Sequence, residues 1–163
     1  MAGITDSITD DLCDALRDTI KTNLPAKLVS LQAPTPQEVY RFKNVIRGAE
    51  FLPCVMVEAV SFAQNVGSFS AGATSLGERT YSFYVWAVVT GSDEEQAEER
   101  IAAYVDALDS VISGSVLGKT NVMDTWVASA EISAATPIAS DQLKAARLSV
   151  NVKYYHQIGD VTM

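Results

Sequence analysis

Acidic side chains form the densest reactive cluster in the sequence: Asp93, Glu94, Glu95, Glu98 and Glu99 lie almost side by side. Directly before them, Val88-Val89-Thr90-Gly91-Ser92 passes from β-formers through a glycine into a helical pattern. Backbone N–H groups at such a junction can receive a phosphate. The carboxylates could instead hold a hard cation or work as an acid–base pair. Their position favours a structural role, because the first turns of a helix carry unpaired N–H groups and the positive end of the helix dipole. Ser92 and Glu95 have capping-box spacing, in which the hydroxyl accepts a first-turn N–H and the carboxylate reaches back to the cap. Carboxylates there repel a phosphate. The chain has neither a lysine-bearing phosphate loop nor a three-glycine dinucleotide fingerprint. The junction is therefore expected to be a structural joint with no cofactor.

The other reactive residues are few. His156 is the lone histidine, and no nucleophile elbow or Cys/His signature accompanies it. Cys13 and Cys54 each sit in an apolar stretch, which suits buried reduced thiols better than a disulfide framework. One His and two distant Cys cannot supply zinc-ligand spacing, and no acidic loop has the calcium-loop pattern. Tyr81, Phe83, Tyr84 and Trp86 could stack nucleic-acid bases, but Arg79 is the only nearby cation, so packing on a sheet is the better reading. No catalytic, metal-binding or cofactor-binding residue is expected, and the protein is read as a non-enzyme.

These residues must be positioned by a domain of moderate size. The 163 residues fit a single domain spanning 1–163, and the net charge of −8 with scattered cations argues against a phosphate-neutralising nucleic-acid binder. The N-terminal stretch lacks the basic start and apolar run of a signal peptide, and no run approaches membrane-spanning length, so no membrane is expected.

Ile8, Leu12, Ala15, Leu16 and Ile20 recur at helical spacing, with Asp10, Asp11 and Asp14 early, Arg17 and Lys21 late, and Pro25 as the expected stop. Residues 37–47, with Arg41, Lys43 and Arg47, read equally as a short helix or an irregular arm. A strand is expected near Cys54–Val60, then a glycine- and serine-rich loop from Gly67 to Gly77 that contains Phe69 and Leu76. Arg79 to Val89 alternates with apolar groups on both faces, predicting a central strand covered on both sides. A second helix runs from the Ser92 cap to Ser113, and Gly114 ends it. Strands follow over 125–134 and 143–157; in the last, Ala146, Leu148, Val150, Val152 and Tyr154 face in and Arg147, Ser149, Asn151, Lys153 and Tyr155 face out. The expected fold is α+β and two-layered, a mainly antiparallel four-stranded sheet with two principal helices packed on one face.

This layout, with its Leu52-Pro53-Cys54-Val55-Met56-Val57-Glu58 strand entry, glycine-rich loop, Tyr81–Val89 strand and acidic helix, resembles the tail terminator (tail completion) proteins of long-tailed bacteriophages. The resemblance implies a structural virion protein that caps the tail tube as a homo-hexameric ring, ends its polymerisation and offers a head–tail joining surface. Implied partners are other copies of the chain, the tail tube protein, a neck or head-completion protein, and DNA passing through the lumen without specific binding. The implied location is the virion tail or neck, after assembly in the host cytoplasm. Phe69, Leu76, Arg79, Arg147 and Lys153 are the candidate subunit or tube contacts. A neck or head-completion protein is the alternative role, and a small-ligand-binding domain is the alternative from another class.

Overall fold

Leu12, Leu16, Ile20, Leu24 and Leu28 recur every fourth residue and are all buried, forming the inner stripe of α1 (Ile8–Ser30). A computed structural model describes residues 7–41, 52–65 and 76–157 of the chain. The Ser7 hydroxyl caps α1 by accepting the Asp10 N–H at 3.0 Å. Pro25 does not stop this helix but lies inside it. An interior proline costs about 3 kcal/mol through its missing N–H and its clash with the preceding turn. Burial of Leu24 and Leu28 on either side contributes about 3–6 kcal/mol together, so the apolar stripe outweighs the break.

The segment read as a short helix or an irregular arm is neither over residues 38–41, where it is a strand. Glu38–Arg41 forms β1, parallel to β2 (Cys54–Asn65), with the buried Val39 beside Val55. Residues 42–51 lie outside the described residues, as do Phe69 and most of the glycine-rich loop. β3 (Leu76–Gly91) is antiparallel to β2, and α2 (Glu94–Ile112) follows it. After α2 come β4 (Val122–Ile132), β5 (Thr136–Ile138) and β6 (Asp141–Gln157).

Among the described residues the sheet has six strands rather than the expected four, in the order β1-β2-β3-β6-β4, with β5 paired to β6. The two extra strands are four and three residues long, too short to display an alternation. The α+β class and the mainly antiparallel pairing match expectation, and β1 on β2 is the parallel exception. Both helices cover one face. There Val55, Val57, Phe83, Val85, Leu148 and Val150 pack with Leu16 and Ile20 of α1 and Ile101, Tyr104 and Leu108 of α2. The Tyr104 hydroxyl, buried at this seam, donates to the Pro34 carbonyl at 2.7 Å and ties α2 to the chain leaving α1.

The strand–helix joint is capped one residue later than the capping-box spacing predicts. Asp93, not Ser92, accepts the Gln96 N–H at 2.8 Å, and the Gln96 side-chain oxygen accepts the Ser92 N–H at 2.7 Å. An aspartate cap sets a full negative charge at the positive end of the helix dipole, which a serine cannot do. Gly91 makes the tight joint possible. A Cβ there would lie 2.4 Å from the Ala97 nitrogen, so any side chain would force strand and helix apart.

Candidate functional site

Strand alternation delivers two different surfaces from the same residues. On β6, Ala146, Leu148, Val150 and Val152 lie buried under the helices, while Arg147, Ser149, Asn151 and Lys153 are half-buried on the reverse face. The register sets Trp86, Tyr84, Ser82 and Thr80 of β3 opposite those four in turn.

The Arg147 guanidinium carbon lies 4.5 Å from the centre of the Tyr84 ring and 5.7 Å from that of Trp86, and the two rings meet edge to face at 6.2 Å. Arg147 Nη2 also donates to Glu131 Oε2 on β4, and Trp86 Nε1 donates to Glu58 Oε2 on β2 at 3.0 Å. One chain of contacts, Glu58–Trp86–Arg147–Glu131, thus crosses β2, β3, β6 and β4. The guanidinium is held by a carboxylate and two aromatic faces at once, so it is ordered before any partner arrives. Further along, Ser82 Oγ donates to Asn151 Oδ1 at 2.8 Å, and Lys153 Nζ sits 3.0 Å from the buried Glu78 carboxylate. The bond to Glu78 and its charge push the Lys153 ammonium above its ordinary range. Trp126 of β4, in register with Asn151, places the second tryptophan of the chain on this face.

Toward the other end of the reverse face, Leu52, Cys54, Met56 and Val88 form a small separate apolar cluster with Tyr40, Leu143 and Ala145 against them. The expectation that β3 is central holds. Its coverage on both sides holds only at this end, because both helices lie on the other face and Ser82, Tyr84 and Trp86 stay half-buried. A recess of about 230 Å³ opens beside this network, lined by Trp86, Glu131, Ile132, Ser133, Ala145, Ala146 and Arg147.

Of the candidate contact residues whose side chains are described, Arg79, Arg147 and Lys153, not all share one face. Arg147 and Lys153 share the reverse face. Arg79 pairs with Tyr154 on the helix side of β3, one alternation away from them. Leu76 opens β3 opposite Gln157, and Phe69 lies outside the described residues. Glu58, Trp126 and Glu131 are members that the sequence reading missed. Their signal is the cross-strand register, which needs the strand order and cannot be read along the chain.

The structure also bears on the alternative chemistries. Tyr81 and Phe83 are buried beneath the helices while Tyr84 and Trp86 face the other way, with Arg147 over the Tyr84 ring, so the four aromatics do not share one face. Cys13 and Cys54 are buried free thiols; burial pushes Cys54 up to about 11 and raises Cys13 against the opposing pull of Arg41. Both therefore stay in the unreactive thiol form near neutral pH. Among the described residues no group of three or more His, Cys, Asp or Glu is placed to hold a metal ion, and no helix is long and apolar enough to cross a membrane.

No family model matches the chain, and the search of curated proteins gives no match. Among solved structures, 96% of this chain is similar to the whole of a chain from the virion of a native gene transfer agent particle, at 11% identity and a TM-score of 0.50. A second solved chain is 19% identical over 85% of this chain and 96% of its own, with a TM-score of 0.39. The type 4 fimbrial biogenesis protein PilO from Pseudomonas aeruginosa is 8% identical over 88% and 72%, with a TM-score of 0.31. The last two scores are too low to carry weight. The first shows the fold alone, and this chain therefore shares its fold with a protein of a gene transfer agent virion.

Proposed function

We propose that this protein is a structural component of a phage-type virion and, within it, the tail terminator: a non-enzyme that closes into a ring on the finished tail tube and presents the head–tail joining surface. The observation that carries this reading is the likeness to a virion chain that spans nearly all of both proteins. A fold shared from end to end, rather than over one motif, is what a common structural role needs.

The geometry supports the reading in two ways. Ring closure uses heterologous contacts, so each subunit needs two different complementary patches. The reverse sheet face supplies one candidate in Tyr84, Trp86, Arg147 and Lys153. Tryptophan, tyrosine and arginine are the side chains that most often dominate binding energy, and a guanidinium already held in place loses little entropy on docking. In addition, the outer side of α2 exposes Glu94, Glu95, Glu98, Glu99, Asp106 and Asp109. Turned toward the lumen, that surface would let DNA pass without adhering.

Native mass spectrometry of the protein alone and mixed with a tail tube protein tests the proposal. Rings, or ring-sized assemblies on tube ends, are the expected result. A strict monomer both at high concentration and in the presence of tube would overturn it. Binding to head vertices with no affinity for the tube would reassign the protein to the neck.

A further inference from the structure

We draw no further inference here: the strongest candidate, the half-buried strip of Tyr84, Trp86 and Arg147 with its adjoining recess on the sheet face away from the helices, belongs to the surface already described, and nothing in the structure shows what covers it.

Discussion

One sheet presents two faces that are finished by different physics. Beneath the helices, Phe83, Val85, Leu148, Val150 and Val152 are at most 1% exposed and belong to one large apolar cluster. On the reverse, residues one position along the same strands stay half-buried and are joined by directed contacts: indole to carboxylate, guanidinium to ring, hydroxyl to amide. Burial is non-directional and scales with area, so the first face supplies stability. Directed contacts at partly wet positions contribute little to folding yet fix where side chains point. The contrast teaches that the two faces should answer differently to mutation, one through folding and the other, on the proposed function, through association.

Phe83→Ala tests the covered face and carries the largest expected effect, a loss of about 3–5 kcal/mol of folding stability by urea denaturation. A loss below about 1 kcal/mol would break the contrast, since it would mean the helices do not close over β3. Arg147→Ala tests the reverse face. Its partner Glu131 is 69% exposed, so the ion pair is worth little; with the ring contacts the expected cost is about 1 kcal/mol. Assembly with tube protein, followed by native mass spectrometry, should be lost even though the variant remains folded. Unchanged assembly would remove this strip from the proposed contact.

A third pair of variants sharpens the scale. Asp93→Ala should cost about 1 kcal/mol, whereas Ser92→Ala, which leaves the Asp93 cap and the Ser92 backbone contact intact, should cost no more than a few tenths. The reverse order in chemical denaturation would restore the cap to Ser92. A pH-dependent test comes from the thiols, one on each face: Cys13 in the helix-covered core and Cys54 in the reverse cluster. Burial raises the folded Cys54 pKa from 9.0 to about 11, so above 9.0 the unfolded chain sheds its proton first. The stabilising contribution is full below that pH and is lost as pH rises toward 11. Denaturation midpoints on either side of pH 9 should show this fall, and Cys54→Ala should lessen it. An equal fall in the variant would assign the effect to Cys13 or Tyr104, whose pKa values burial also raises.

Much of this division was legible in the sequence, and what was not has distinct physical causes. The alternation of Ala146 to Val152 against Arg147 to Lys153 identified the two faces of β6 correctly, because a period of two is a local property. Of the α1 stripe, Leu12, Leu16 and Ile20 were equally visible, and the weight given to Pro25 left out Leu24 and Leu28. The helix cap slipped by one residue because Ser92 and Asp93 are both good caps and local spacing does not choose between them. Strand order was the larger loss. Nothing local states that β6 enters between β3 and β4, and without that Glu131 and Glu58 cannot be placed beside Arg147 and Trp86. Two of the five candidate contacts, Arg147 and Lys153, share a surface, since they alternate on a single strand; Arg79 required knowing which face of β3 met which face of β6.

The insertion of β6 also sets a timetable. Its pairing runs from Leu76 opposite Gln157 to Gly91 opposite Gln142, so the centre of the sheet joins segments that are synthesised far apart. Until β6 has been made, β3 lacks its main neighbour and β4 lacks its anchor. We expect arrested nascent chains ending before Asp141 to remain open to protease and chains extended past Gln157 to become resistant, a step-like gain rather than a gradual one. On this schedule an incomplete chain has no finished reverse face, and if that face makes the proposed ring contact, translation itself would keep half-made copies out of the ring.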